Sequence, residues 1–378
     1  MDCKMELKHT PLYQKHIQNK GRIVDFGGWA LPVEYSGTLA EAKVVREKCG
    51  IFDASHMGEI IIKGKNALAF LQYLTPNDIS LIQEGQMQYN LLVNSRGGVV
   101  DDLMIYNLGD SFLCVVNASN KDKALAWLNK NKKEDVEIED KSDSIALIAL
   151  QGPQAVNIMS EVVGENINKL DYMHFIKYSL EGKEAIVSRS GYTGADGFEV
   201  YPCWDDACFW WGAFMSAGKG FGLLPCGLGA RDILRIEAGY PLYGHELDET
   251  INPYQASLEW VVKLQKDFLA KEKLINIKKE GLTQRRVGFI MQERGMPRQG
   301  YTVYANTKKI GQVTSGTFSP NANQFIGMAY VSRDYAAAGT EIEIEIRDKF
   351  YKAKICKWPF VKVGTKNHNH DNFIKKEA

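Results

Sequence analysis

Two adjacent acids, Asp101 and Asp102, lie inside a run that otherwise has the pattern of a buried β-hairpin. The run is MQYNLLVNSRGGVVDDLMIY, from residue 87 to 106, and its Asn-Ser-Arg-Gly-Gly centre has the composition of a turn. A carboxylate in apolar surroundings costs free energy unless a partner or a reaction requires it. Such an acid is suited to stabilise developing positive charge or to transfer a proton.

The alternation of side chains along a strand distinguishes the two acids. With a period of two, Asp102 and Tyr106 share a face, and Asp101 lies on the opposite face. The other residues predicted on the Asp102 face are Val100 and Met104. These apolar neighbours predict a raised pKa for Asp102. A structural interpretation stays open, in which one Asp is solvated at a strand end and the other accepts from a backbone N–H or an Arg.

A second candidate segment, RSGYTGADGFE at 189–199, is a loop interrupted by three glycines. Glycines allow close backbone approach to a flat ligand, to which Tyr192 offers a ring face and Glu199 an acceptor. The segment lacks the spacing and the lysine of a phosphate-binding loop. The alternative is a structural hairpin in which the tyrosine forms hydrogen bonds within the fold and binds no ligand.

A third segment, CGLGARDILRIE at 226–237, predicts a glycine-rich turn that opens a helix. Arg231 lies in the first turn of that helix, where a guanidinium binds a carboxylate through two hydrogen bonds. Pairing of Arg231 with Asp232 or Glu237 is the structural alternative.

Composition excludes several other classes of protein. The 378 residues carry 46 Lys and Arg and 46 Asp and Glu, so no global basic field favours nucleic acid. The seven cysteines lack CxxC spacing and predict reduced thiols in a cytoplasmic protein, and the seven histidines show no metal-ligand spacing. No apolar run is long enough to span a membrane, and the first residues do not have the pattern of a signal or transit peptide.

The elements that position these residues have a mixed pattern. Helices and strands alternate with hairpins, which predicts an α+β fold. The lysine-rich stretch 130–143 indicates a domain crossing, and 205–217 predicts a helix whose Trp residues pack in a core. The polar segment 266–286 indicates a linker or exposed helix. From residue 286 the short strands RVGFIM, GYTVYA, KIGQVTSG, QFIGMAYV, EIEIEI and YKAKI predict a small β-barrel or sandwich.

Nine strings in chain order resemble the T-protein (aminomethyltransferase) family of the glycine cleavage system. They are TPLYQKH, VDFGGWALPVEY, GIFDASHMGE, GGVVDDLMIY, LIALQGPQA, SRSGYTGADGFEVY, GLGARDILRIEAGYPLYGHELDETINPYQASLEWVVKL, VTSGTFSP and KWPF. The resemblance implies an α+β, three-domain cloverleaf of antiparallel sheets with flanking helices around a folate site, with a small C-terminal β-barrel. It divides the chain into a discontinuous folate-binding domain at 1–52 and 143–275, a second α+β domain at 53–142 that carries the hairpin, a barrel at 276–366 and a tail at 367–378.

The resemblance also implies a reaction. Such enzymes take the aminomethyl group on the lipoyl arm of the H-protein, transfer its methylene carbon to the co-substrate tetrahydrofolate, and release ammonia and dihydrolipoyl protein, without a metal. The second acid of the hairpin, Asp102, maps to the catalytic position. Its role is left open between a proton relay and an electrostatic stabiliser.

The binding residues follow from the same resemblance. Tyr89, Tyr106, Asn117 and Tyr192 would line the pterin and aminobenzoyl pocket, Glu199 would accept from the pterin edge, and Arg231 would organise that wall or pair with an acid. A carboxylate fits this role because it accepts two parallel N–H bonds. After KWPF the chain reads VKVGTKNHNH, which leaves open whether Lys362 or Lys366 binds the glutamate tail.

Three related functions provide rival hypotheses. Demethylases fused to flavin oxidases need a longer chain and a GxGxxG motif, which this sequence lacks. Folate-binding proteins that assist iron–sulfur assembly carry a KGCYxGQE-like string, whereas this chain reads KDFLAKEKL at 266–274. A standalone tetrahydrofolate-dependent demethylase of a small methylated substrate stays open as the alternative.

Overall fold

The computed structural model describes residues 6–364, and it divides into two compact units. Within the described residues, the first unit comprises 6–59, 140–234 and 363–364, and the second comprises Ile60–Glu139 and Arg235–Lys362. The tail predicted at 367–378 and the side chain of Lys366 lie outside the described residues.

Residues 6–364 form eight α-helices and nineteen β-strands, with single turns of 3₁₀-helix between them. The helices are α1 Tyr13–Gln18, α2 Thr38–Glu47, α3 Ala67–Leu74, α4 Lys121–Lys130, α5 Ala155–Val163, α6 Ala207–Ala217, α7 Leu228–Ala238 and α8 Lys271–Glu280. The strands are β1 Arg22–Phe26, β2 Trp29–Glu34, β3 Cys49–Asp53, β4 Gly58–Lys63, β5 Met87–Val93, β6 Val99–Asn107, β7 Ser111–Val116, β8 Glu137–Asp140, β9 Ile148–Gln151, β10 Phe175–Leu180, β11 Lys183–Ser188, β12 Gly197–Pro202, β13 Leu223–Pro225, β14 Gln284–Met291, β15 Thr302–Ala305, β16 Lys308–Ser319, β17 Gln324–Ser332, β18 Glu341–Ile346 and β19 Lys349–Cys356.

The strands assemble into three sheets and one closed barrel. The order in the six-stranded sheet is β10-β11-β12-β9-β3-β13, and in the five-stranded sheet it is β5-β6-β7-β4-β8. The pair β1-β2 is a separate hairpin, and the barrel order is β14-β17-β16-β15-β18-β19. The predicted α+β class and the C-terminal barrel are therefore confirmed, and the barrel rather than the sandwich is correct.

The core of the first unit lies between its six-stranded sheet and the helices α5 and α6. Trp210, Trp211 and Phe214 on α6 are almost completely buried in this core. The prediction that the Trp-rich helix packs in a core is confirmed, because its aromatic rings contact the sheet instead of solvent.

A buried ionic network fixes the N-terminal segment of the first unit to the end of β3. Asp53 accepts from Thr10 at 2.6 Å, and its Oδ2 lies 2.8 Å from Nε2 of His16. The other ring nitrogen of His16 lies 2.8 Å from the Tyr35 hydroxyl. Burial raises the pKa of Asp53, but the hydrogen bond and charge of His16 together with Thr10 hold it below its ordinary value.

The predicted hairpin forms in the second unit from β5 and β6. Gly97 takes a positive φ of 85° in the turn, a conformation that glycine adopts without steric cost. Gly98 serves close packing instead, because a Cβ at that position would lie 1.9 Å from the carbonyl oxygen of Glu249.

The predicted faces of Val99 and Val100 in β6 are wrong, since strict alternation places Val99 with Asp101, whereas it lies in the core cluster of Leu91, the residue that pairs with Asp102. Val93 pairs with Val99 while Leu92 pairs with Asp101, so Val100 is an extra residue and the strand contains a β-bulge. The bulge places Val100 in the same core cluster as Leu103 rather than on the Asp102 face. A strict period of two cannot predict this shift, because it assigns each residue to a face as if the strand contained no extra residue.

The sequence-based organisation also differs from the structure outside this hairpin, and the pair β1-β2 and the short strand β13 are among the elements that were not predicted. The stretch 130–143, predicted as a domain crossing, contains the boundary between the units and also the edge strand β8. Strand β10, at the edge of the six-stranded sheet, was not predicted, although Ile176, Tyr178 and Leu180 alternate along it with the exposed Lys177 and Ser179.

We expect Gly98→Ala to lower the free energy of unfolding by about 2 kcal/mol, because the added methyl group overlaps the backbone of Glu249. Gly212→Ala is the matched control, since Gly212 is exposed on α6 and a Cβ there meets no atom within 4 Å. This control should stabilise the protein by about 0.5–1 kcal/mol. Urea unfolding of the three proteins measures both effects, and equal stability of wild type and Gly98→Ala would contradict the packing argument.

Candidate functional site

The register of the hairpin places Tyr89 beside Asp102. Leu91 pairs with Asp102 across the two strands, and Tyr89 lies two residues before Leu91 on the same face. The Tyr89 hydroxyl donates to Oδ2 of Asp102 at 3.0 Å. Tyr106 lies on this face by alternation and is completely buried.

The register of the next pair of strands brings Asn117 to both acids. Leu103 pairs with Val116, so Asn117 follows at the position opposite Asp102. Its side-chain Nδ2 lies 2.7 Å from Oδ1 of Asp102 and 2.9 Å from Oδ1 of Asp101, and 3.0 Å from the Asp102 carbonyl oxygen. Its backbone N–H donates to Oδ2 of Asp101 at 3.2 Å. One asparagine therefore bridges two neighbouring carboxylates, which we call the acid pair.

Burial raises the pKa of both members of the acid pair. For Asp101, which is completely buried, the negative charge of Asp102 adds to this effect. For Asp102, which is partly exposed, the bonds from Tyr89 and Asn117 and the charge of Arg286 act in the opposite direction without cancelling it. The raised pKa of Asp102 agrees with the sequence-based prediction and gives the pair the capacity to exchange a proton near neutral pH.

Three residues around the acid pair were not predicted from the sequence. Trp260 packs on Tyr89 with ring centroids 5.7 Å apart, and Tyr243 accepts from Nζ of Lys123 at 2.6 Å. Arg286 lies with its guanidinium 4.7 Å from the Trp358 ring. Trp260 and Tyr243 occur in the longest of the strings that resemble the T-protein family, which was the available signal, but their partners are distant in sequence.

The glycine loop at 189–199 is built around Gln151 in the first unit. Thr193 donates to Oε1 of Gln151 at 2.7 Å, and Nε2 of Gln151 donates to the Ser190 carbonyl at 3.0 Å. A Cβ on Gly191 would lie 1.9 Å from Oε1 of Gln151, so only glycine fits there. Arg189 and Asp196 close the loop with a salt bridge through two contacts.

This loop and α7 bring the predicted residues Tyr192, Glu199 and Arg231 together. The guanidinium carbon of Arg231 lies 4.8 Å from the centroid of the Tyr192 ring. Oε2 of Glu199 accepts from Ser190 at 2.7 Å and is 3.4 Å from the Tyr201 hydroxyl. Burial raises the pKa of Glu199, although Ser190 and the charge of Arg231 oppose the shift. Glu237, which the sequence offered as an alternative partner of Arg231, instead accepts hydrogen bonds from Ser319 and Asn321.

A histidine adjoins this second cluster. His56 is 95% buried, and within residues 6–364 its Nδ1 has no hydrogen-bond partner. Burial and the neighbouring Arg231 charge lower the pKa of His56 to about 4, so the imidazole is neutral at physiological pH. Its ring packs edge-on against Phe26 at a centroid distance of 5.6 Å.

The structure thus groups the predicted residues into two sets. Tyr89 and Asn117 both contact Asp102 in the second unit, and Arg231 adjoins Tyr192 and acts on Glu199 through its charge in the first. Over the described part of the chain, no three His, Cys, Asp or Glu residues cluster so as to hold a metal ion. None of the helices between residues 6 and 364 is both long enough and apolar enough to cross a membrane.

Nearly the whole chain matches known proteins and family models. Residues 12–266 match the GCVT N-terminal domain, and residues 284–362 match the glycine cleavage T-protein C-terminal barrel domain. The aminomethyltransferase of Halothermothrix orenii is 43% identical over 357 residues, which cover 94% of this chain and 100% of the relative. That of Bacillus subtilis is 44% identical over 360 residues, covering 94% and 99%. The crystal structure of glycine cleavage system aminomethyltransferase T from Bartonella henselae has a TM-score of 0.88 and 33% identity, covering 94% of this chain and 98% of that chain.

We expect Arg231→Gln to raise the pKa of Glu199 further and to raise that of His56, because one positive charge acts on both groups. Arg231→Lys is the matched control, since it retains the charge and should shift both groups less. Carbon-13 NMR of the labelled Glu carboxyls and His rings measures the titrations, with Glu199→Gln and His56→Gln used for assignment. Identical titrations in all three proteins would show that Arg231 does not set the electrostatics of this cluster.

Proposed function

Because this chain belongs to the glycine cleavage T-protein family of aminomethyltransferases, we propose that it transfers the methylene carbon of an aminomethyl-lipoyl group to tetrahydrofolate. In this reaction the carbon–sulfur and carbon–nitrogen bonds of the donor break, and two bonds form from the carbon to folate nitrogens. The two protons that leave those nitrogens are taken up by the thiolate and the amine. The products are methylene-tetrahydrofolate, dihydrolipoyl protein and ammonia, so no oxidant or reductant is needed.

The single observation that carries the chemical part of the proposal is the acid pair. Asp102 is partly exposed, has a raised pKa, and is held by Tyr89 and Asn117. A fixed carboxylate of this kind stabilises positive charge that develops on a neighbouring carbon or ring, and it accepts a proton when its pKa lies near the operating pH. We assign the catalytic role to Asp102.

The described residues fit the chemical groups of a folate. Tetrahydrofolate supplies two nucleophilic nitrogens that receive the one-carbon unit. Glu199 is buried, and within residues 6–364 its Oε1 accepts no hydrogen bond, so it is available for the N–H groups of an aminopyrimidinone edge. Tyr192 offers an aromatic face that Arg231 holds from one side. We therefore assign these residues to the pterin, with Tyr89, Tyr106 and Asn117 as the proposed folate contacts of the second unit.

The donor in this proposal is the aminomethylated lipoyl arm of an H-protein, as the resemblance implies. The relatives named above cover nearly all of this chain and are themselves covered almost completely, which supports assigning the activity of the whole protein. We also propose a cytoplasmic location, because the six cysteines of the described chain are free thiols, as expected in a reducing compartment.

Turnover of a defined donor tests the function. Purified protein with aminomethylated H-protein and tetrahydrofolate should form methylene-tetrahydrofolate and ammonia in equal amounts, and omission of either substrate should abolish both products. If a competent H-protein gives no product while a free methylated amine is demethylated, the standalone demethylase is the correct function. Folate binding without any turnover would instead favour the iron–sulfur assembly proteins.

We expect Asp102→Asn to reduce kcat by about 10²–10⁴-fold, the usual effect of losing one general acid–base group. The amide retains the size of the side chain, so tetrahydrofolate should still bind. Stopped assays for ammonia, together with isothermal titration of tetrahydrofolate, separate the loss of kcat from a loss of binding. Wild-type turnover by this variant would mean that Asp102 is not the catalytic acid.

A further inference from the structure

We propose that Asp101 and Asp102 hold one proton between them at neutral pH, and that Asp101 is the member that carries it. Asp101 is then a positioning residue, because it is neutral when Asp102 is ionised and so avoids placing a second negative charge beside the catalytic group. The inference deepens the proposed function and rests on its assignment of Asp102.

The first argument is the geometry of the bridge. The two hydrogens of the Asn117 amide face three acceptors, which are Oδ1 of each aspartate and the backbone carbonyl of Asp102. Two donor hydrogens cannot fully satisfy three acceptors, so the bridge holds the two carboxylates close without neutralising either. Two carboxylates that share a buried site do not ionise together, and their protons leave in two separate steps.

The second argument is that the two sites differ in a way that selects Asp101 as the protonated member. Asp101 is completely buried, whereas Asp102 is partly exposed and so loses less hydration when it is charged. Asp102 also accepts a hydrogen bond from the Tyr89 hydroxyl, and the charge of Arg286 acts to lower its pKa. The charge of Asp102, in contrast, raises the pKa of Asp101. Asp101 does accept the backbone N–H of Asn117 and a bond from Asn120, but its burial and the charge of Asp102 are the larger effects, so the ionised form is favoured at Asp102.

The groups that face the acid pair come from several elements of the second unit. β5 contributes Tyr89 and β14 contributes Arg286, and Asn120 donates to the Val100 carbonyl and to Asp101. Tyr243 follows α7, and its pKa is raised by burial and by surrounding acids that include Asp101, Asp102, Asp248 and Glu249. Lys123 of α4 donates to Tyr243 and lies 3.8 Å from Glu249. Arg286 is the cation whose charge lowers the pKa of Asp102, whereas the largest charge effect on Asp101 comes from Asp102 and raises its pKa.

Carbon-13 NMR of protein labelled at the Asp carboxyls tests the proposal without any substrate. The wild type should show two titrations from the acid pair, of which the one at higher pH disappears in Asp101→Asn. The remaining carboxyl of Asp102→Asn should titrate at lower pH than Asp101 does in the wild type, because the neighbouring negative charge has been removed. Asp102 should titrate at the same pH in Asp101→Asn as in the wild type, because a neutral amide replaces a neutral acid.

The pH profile of kcat/KM gives a second readout that a merely structural role of Asp101 would not produce. The acid limb reports the ionisation of Asp102 and should keep its midpoint in Asp101→Asn, while turnover by this variant should fall less than in Asp102→Asn. If the acid limb moves down by about one pH unit or more, Asp101 is charged when Asp102 titrates, and the proposal is overturned. The same conclusion follows if the carboxyl that titrates at higher pH disappears in Asp102→Asn.

The design separates this inference from the proposed function. A comparison of the labelled wild type with labelled Asp102→Asn is enough to identify which carboxyl titrates at higher pH. The result therefore stays decisive if Asp101→Asn does not fold. Loss of aminomethyl transfer with a competent H-protein would refute the proposed function without changing the NMR titrations. Normal transfer with the reverse order of titration would refute only the assignment of the proton to Asp101.

Discussion

The hydrogen bonds of Asn117 to two adjacent carboxylates are the interaction on which the acid pair depends. A buried acid is costly by itself, and two acids at successive positions repel each other. The bridge places one amide within 2.7–2.9 Å of both side chains and so keeps them in a fixed arrangement. The asparagine lies there because β6 and β7 pair in a single register, with Leu103 opposite Val116.

The β-bulge at Val100 determines which acid meets Tyr89. A shift of one residue in a strand exchanges all side chains between its two faces, so without the extra residue Asp101 would occupy the face that Asp102 now holds. The turn makes this register stable, because Gly98 packs directly against the backbone of Glu249 and Val99 donates to the carbonyls of Asp248 and Ile251. The catalytic assignment therefore depends on backbone packing at the turn as well as on the acid itself.

The sequence predicted what local patterns encode, and it missed what the pairing of distant segments decides. Alternation and turn composition identified the hairpin and all six strands of the barrel, and helical spacing identified the Trp-rich core helix. They could not identify the extra residue Val100, since a bulge changes the pairing without changing the hydrophobic composition. The contacts of Trp260 with Tyr89 and of Asn117 with Asp101 join segments whose proximity only the folded register creates.

The two clusters achieve raised carboxylate pKa values by the same physical means. Each contains an acid whose pKa is raised by burial, partial for Asp102 and nearly complete for Glu199, and an arginine whose charge acts on that acid. In each, the guanidinium lies over an aromatic ring, with Arg286 on Trp358 and Arg231 on Tyr192, and among residues 6–364 neither forms a salt bridge. A contacting salt bridge would hold the carboxylate in its ionised form far below neutral pH. Because the arginines contribute charge at a greater distance, burial remains the larger effect, and both acids keep the ability to exchange protons with a ligand.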